Sequence, residues 1–154
     1  MAATREGPVI ERASRSDLPA LATLFEAYRA FYRRPPDRAA VERFLEERLE
    51  RGDSVIFVAR LDGSAVGFTQ LYPIFSSLLV GRAFILNDLY VAEAARGRGV
   101  GRALLDRAVA HGRAVGAVYL ELATETSNLE AQRLYEAAGW SRESGFYHYS
   151  FELG

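Results

Sequence analysis

Leu86-Asn87-Asp88-Leu89-Tyr90-Val91, followed after four intervening residues by Arg96-Gly97-Arg98-Gly99-Val100-Gly101-Arg102, is the stretch that decides how this chain is read. Ala83 to Val91 is an extended, apolar run; the pattern then turns glycine-rich and finally helical, with Leu104, Leu105, Ala108 and Val109 at helix spacing. Strand, glycine loop and helix therefore follow in order. Such a turn aims backbone N–H groups and the positive end of a helix at one point, which is what a pyrophosphate requires. Glycine lets the backbone approach such a ligand without a side-chain clash. In isolation the same loop reads equally well as a tight turn with arginines on a solvated helix start. A dinucleotide fingerprint is the nearest rival, since Glu121 ends the next extended run about twenty residues on. Gly-x-Gly-x-x-Gly fails, however: Gly97 and Gly99 are followed by Arg102, and Gly99 and Gly101 by Leu104, where a small residue is needed.

Outward from this stretch, the remaining segments form a consistent series. Before it, Leu18, Leu21, Phe25, Tyr28 and Tyr32 predict a first helix with Ser16 as its cap and Pro35-Pro36 as its stop. Asp37 caps a second helix carrying Val41, Phe44, Leu45 and Leu49, which ends at Gly52. Val55 to Leu61 and Ala65 to Tyr72 flank Asp62-Gly63 as a hairpin that Pro73 closes. After it, Gly116 ends the loop-borne helix, Val118 to Ala123 reads as a buried strand, and Asn128 caps a helix that ends at Gly139. Phe146 to Leu153 reads as a closing strand. No repeat, linker or low-complexity tract interrupts the order, which predicts one mixed-sheet α/β domain over residues 1–154.

Composition narrows the chemistry. The chain has 154 residues, 49% of them hydrophobic and 25% charged, and a domain of this size buries roughly 70% of its unfolded surface without a staple. Cysteine is absent, which excludes disulfides, thiolate zinc sites and a cysteine acyl-enzyme, and is compatible with the cytoplasm. Lysine is absent too, which excludes a Schiff base and the lysine of a Walker loop. The net charge is -1 with both signs interleaved, so neither nucleic acid nor a membrane surface is an expected partner. Met1 to Ser14 is polar and lacks the apolar core of a secretory signal, and no apolar stretch is long enough to cross a bilayer. Two histidines and no clustered acids give no metal site.

Arg96, Gly99 and Gly101 match the Arg/Gln-x-x-Gly-x-Gly/Ala signature of the GNAT N-acetyltransferase superfamily, and nearly the whole chain resembles it in element order, down to Tyr-Glu-Ala-Ala-Gly-Trp at residues 135–140. The resemblance implies the acyl-CoA N-acyltransferase fold, α/β (α+β) with a mixed central sheet flanked by helices. It also implies transfer from acetyl-CoA to a primary amine of a small molecule, peptide or protein, by direct attack in a ternary complex. Backbone amides of Arg96, Gly97, Arg98, Gly99, Val100, Gly101 and Arg102 would bind the pyrophosphate, and Leu89, Tyr90 and Val91 the pantetheine arm. The N–H of Val91 would serve the oxyanion. A homodimer is compatible with the family.

Direct aminolysis needs a neutral amine, oxyanion stabilisation and a proton for the departing thiolate. Tyr135, seven residues after Asn128, falls where the family has its general-acid tyrosine; it also reads as an amphipathic-helix core residue. Asn128 matches a cofactor-contacting position and reads equally as an N-cap. Around Leu86 to Gly101 the sequence is similar to the diamine acetyltransferases, which carry Glu-Asp where this chain has Asn87-Asp88. The base therefore rests with Asp88, Glu121, Tyr90 or ordered water, while Asp88 also reads as a buried structural carboxylate. Neighbours on a strand face opposite ways, so only one of Asn87 and Asp88 looks into the site unless a bulge intervenes. Tyr28, Phe31, Tyr32 and Tyr72 would wall the acceptor site, although Tyr28 and Tyr32 also fit the core stripe of their helix. His111 lies in a solvated stretch of helix by this reading. A non-catalytic acyl-CoA-binding module is the rival: it would keep the loop and lose dependence on Tyr135.

Overall fold

The computed structural model describes residues 6–154. Its elements are β1 (Val9–Arg12), α1 (Leu18–Phe31), α2 (Arg38–Arg51), β2 (Val55–Leu61), β3 (Ser64–Ser76), β4 (Gly81–Val91), α3 (Val100–Ala114), β5 (Leu120–Glu121) and α4 (Leu129–Ala137). The chain divides into two units, the first ending at Ala123 and the second spanning Thr124–Gly154.

In the first unit, the five strands form one sheet in the order β1-β2-β3-β4-β5. All neighbours are antiparallel except β4 and β5, which are parallel and pair at Phe84↔Leu120 and Ile85↔Glu121. The sheet is therefore mixed, as expected. Alternation along the strands sorts side chains to two faces. Ile56, Val58 and Phe68 pack with Leu21, Phe25, Val41 and Leu45 of α1 and α2. Gly67, one residue from Phe68, lies against Val100 and Leu104, so α3 covers the opposite face.

Local chemistry explains most boundaries. Asp37 caps α2 by accepting from the Ala40 N–H, and Gly52 ends it at φ 60°. Asp62 and Gly63 both adopt positive φ, the two-residue hairpin conformation that Asp-Gly favours. The α1 cap differs from expectation: Ser14, not Ser16, opens a short 3-10 turn at Arg15–Asp17, and the Asp17 carboxylate accepts from the Ser14 N–H at 2.8 Å.

Four further expectations are corrected. β1 lies within the polar N-terminal segment; its register with β2, Val9↔Arg60 to Arg12↔Phe57, supplies the order that four residues cannot encode alone. β3 continues through Pro73 to Ser76. The pairing with β2 ends at Val55↔Leu71, so beyond Leu71 β3 is an edge on that side, where a residue without an N–H is tolerated. The strand expected at Val118 to Ala123 is only Leu120–Glu121, half-buried and exposed rather than buried. Phe146 to Leu153, in the second unit, carries no strand. Among the described residues, no helix is long and apolar enough to cross a membrane.

Candidate active site

The glycine loop has the conformation an anion needs. A 3-10 turn at Glu93–Ala95 leads out of β4, and α3 then starts at Val100 with Gly99 as its N-cap. Gly97 and Gly99 both adopt the left-handed conformation, at φ 76° and 78°. A Cβ on either would meet nothing within 4 Å, so backbone conformation rather than crowding requires glycine there. No side chain caps α3, and its first turn holds no acid, so no side chain opposes the positive dipole end of the helix there. The Arg96 side chain folds back instead, its Nε donating to the Val91 carbonyl at 3.1 Å and its guanidinium lying 5.9 Å from the Tyr90 ring centre. Arg102 pairs with Asp106 one turn on, at 3.0 Å, leaving only its backbone for the loop.

Beside the loop, the register of β4 fixes where its amides point. Ala92 N–H donates to the Val66 carbonyl at 2.7 Å, so the 66/92, 68/90 and 70/88 pairs exchange hydrogen bonds and the intervening residues do not. The N–H groups of Leu89 and Val91 therefore turn away from β3, toward the side of β5. Yet among the described residues β5 pairs β4 only at Phe84 and Ile85, well before Leu89. The parallel pair has parted at the point where β4 presents these amides.

A β-bulge settles Asn87 and Asp88. Register passes from Gln70↔Asp88 to Leu71↔Leu86, which leaves Asn87 as the extra residue, exposed, while Asp88 is only 3% accessible. The Asn87 amide still donates to Asp88 Oδ1 at 3.1 Å. Gln70 donates to Asp88 Oδ2 at 2.8 Å and Ser54 donates to Gln70 Oε1 at 2.8 Å, a buried chain. Burial pushes the Asp88 carboxyl above the ordinary carboxylate range; hydrogen bonds from Gln70, Tyr28 and Asn87 oppose this without cancelling it. Tyr72, which accepts from Gln70 at 3.1 Å, is pushed up to about 12 by burial and then by the Asp88 charge. Neither Gln70 nor Ser54 stands out in the sequence; a glutamine inside the extended run Ala65 to Tyr72 is the available signal.

The aromatic residues expected to wall an acceptor site do gather near this carboxylate. Tyr28 lies 5.2 Å from Tyr32, 5.8 Å from Phe68 and 6.2 Å from Tyr90, ring to ring, and Phe31 lies 5.2 Å from Tyr32. The Tyr28 hydroxyl donates to the Asn87 carbonyl at 3.4 Å, which ties α1 to the bulge. Phe31 is half exposed, at 51%. One region of the first unit thus joins Tyr28, Phe31, Tyr32, Tyr72, Tyr90, Asn87 and Asp88.

Asn128 and Tyr135 belong to the second unit. The Asn128 side chain accepts from the Ala131 N–H at 3.1 Å, capping α4. The Tyr135 ring lies 6.5 Å from Trp140, whose N–H donates to the Tyr135 carbonyl at 3.0 Å.

Residues 21–140 match the acetyltransferase (GNAT) family as a whole. The chain belongs to the GNAT family. Its similarity to one member, the uncharacterised N-acetyltransferase YhfO of Bacillus subtilis, is 46% identity over 144 residues, 94% of this chain and 97% of that one. The crystal structure of a probable acetyltransferase superposes with a TM-score of 0.90 at 40% identity, covering 95% of this chain and 98% of the other. A more distant structure, AAC(6')-Iy in complex with a CoA bisubstrate analogue, shares the fold at 21% identity and a TM-score of 0.80, over 96% of this chain and 100% of the other. The mixed sheet with its flanking helices is thus the GNAT fold.

Proposed function

We propose that this protein transfers an acetyl group from acetyl-CoA to a primary amine of a small molecule, peptide or protein. One observation carries the reading: an uncapped helix start on a left-handed glycine loop lies directly after a strand whose Leu89 and Val91 amides are turned away from their antiparallel partner. A long ligand with a pyrophosphate at one point and an amide-bearing arm leading away from it matches that pair of features. The residues that would hold it are the backbone of Arg96 to Arg102 and of Leu89 to Val91. Asn128, which caps α4, would add a polar contact in the second unit. When bound, acetyl-CoA supplies an acyl group already activated as a thioester.

The chain's own residues would prepare the amine. An alkylamine is protonated near neutral pH and must lose a proton before it attacks. Asp88 is the base in this reading. Its raised proton affinity brings it closer to the working range than an exposed carboxylate, and Gln70 and Asn87 fix both oxygens. Tyr28, Tyr32, Phe31 and Tyr72 would exclude water around the amine and favour its cationic form on entry through their ring faces. Tyr135 would return a proton to the departing thiolate, since an ordinary phenol, near 10, is acidic enough for that task.

Thiol release tests the reading, with acetyl-CoA and a panel of polyamines, amino acids, aminoglycosides and basic peptides, for wild type and Tyr135→Phe. Turnover of at least one amine, reduced about a hundredfold in Tyr135→Phe, is the expected result. Saturable acetyl-CoA binding without turnover of any amine would replace it with a non-catalytic acyl-CoA-binding module.

A further inference from the structure

The far end of α3 holds a second arrangement that the transfer reaction does not use. A cleft of about 280 Å³, near the lower end for small-molecule sites, opens where β1 ends and β2 and β4 begin. Arg12, Asp53, Arg82, Phe84, His111 and Val115 are among its walls. All belong to the first unit, and none belongs to the glycine loop. The loop lies at the other end of both β4 and α3, and a helix of 15 residues spans about 22 Å.

The charge there is lopsided. Arg12 and Arg107 both lie over the Phe57 ring, their guanidinium carbons 5.8 and 4.5 Å from its centre. His111 stands edge-on to Phe57 at 5.6 Å and to Phe84 at 5.5 Å, so the sequence reading of a solvated histidine is corrected. Asp53, the carboxylate lining the cleft, pairs with Arg48 at 2.8 Å. Among the described residues, Arg12, Arg82 and Arg107 have no ion-pair partner. Two like charges on one ring and a third on the same cleft repel one another, and stacking on Phe57 offsets only part of that. An anion would remove the imbalance, and guanidinium groups match carboxylate and phosphate oxygens better than any other side chain.

We propose that this cleft is a second ligand site, separate from the glycine loop, which takes a small organic anion: its oxyanion group is met by Arg12 and Arg82, and its body rests on His111 and Val115. The titratable and charged groups around His111 are Arg12 on β1, Arg82 on β4, Arg107 on α3 and Asp53 before β2. Burial first, then Arg12 and Arg107, hold the His111 imidazole below its ordinary value. A bound anion offsets the field of these guanidinium groups, which gives a local readout.

The test is NMR titration of the two histidine rings, His111 and His148, with inorganic phosphate and with benzoate, at constant ionic strength. Saturable shifts at His111 but not His148, with the His111 titration midpoint moving to higher pH, are expected for at least one probe. Binding of phosphate alone assigns the site to phosphate esters, and binding of benzoate to carboxylates with a flat body. Arg82→Gln and Arg12→Gln, both at exposed positions, should each weaken the effect about tenfold and leave acetyl-CoA affinity unchanged. Absence of a saturable His111 shift with either probe overturns the proposal, as does saturation that neither variant weakens. The outcome is independent of whether any amine is acetylated.

Discussion

Asp88 is the residue on which chemistry and stability pull in opposite directions. It is buried and hydrogen-bonded by two amides, yet burial still raises its proton affinity, so its ionised form costs the folded state free energy. A group with a raised folded-state value contributes stability that is complete below its unfolded value, about 3.9, and is lost as pH rises through the folded one. Asp88→Asn should therefore lower amine turnover by about a hundredfold while the thermal midpoint at neutral pH holds or rises. Matched thiol-release and melting curves check both halves; a large loss of stability would make Asp88 structural. The sequence left Asn87 and Asp88 undecided because alternation alone cannot locate a bulge. The bulge follows from pairing with Gln70 and Leu71, seventeen or so positions away, as does the Ser54-Gln70-Asp88 chain.

Among the elements, legibility followed the range of the interactions that form them. The α2 caps at Asp37 and Gly52, the Asp62-Gly63 turn and the loop with its helix are local, and the sequence read them directly. β1, the continuation of β3 past Pro73 and the length of β5 are decided by which strand lies alongside, and they were missed or misjudged. Phe146 to Leu153 has the composition of a strand, but composition does not supply a partner. Gly67 shows the same dependence on distant neighbours. An added Cβ would come within 2.8 Å of the Tyr90 carbonyl and 3.3 Å of Val100, wedging β4 and α3 apart beside the site. Gly67→Ala should cost about 1–3 kcal/mol in denaturant unfolding and weaken acetyl-CoA binding. Gly99→Ala acts through the backbone alone, since its φ is 78° with open space around it. It should cost about 1–2 kcal/mol and also weaken acetyl-CoA binding, most visibly by titration calorimetry. Unchanged binding in both variants would separate the loop from the donor.

At the scale of the molecule, acid sensitivity should trace to the Asp17 cluster. Arg60 of β2 donates to both Asp17 and Glu11, which joins the turn before α1 to the first two strands. Burial alone would raise Asp17, but the Ser14 N–H and Arg60 outweigh it and hold its carboxyl below the ordinary value. A lowered folded-state value contributes stability that is complete above the unfolded value, about 3.9, and is lost as pH falls through the folded one. Wild type should thus lose urea resistance steeply below about pH 4, and Asp17→Asn should be less stable at neutrality and flatter in that window. The larger account, a donor laid along the parted edge of β4 with its pyrophosphate on the α3 start, is tested most directly by residue-resolved amide hydrogen exchange with and without acetyl-CoA. Slower exchange at Leu89, Val91 and the amides of Gly99 to Arg102 is the result this account predicts. Saturable binding of acetyl-CoA that leaves those amides exchanging at their free rates would contradict it.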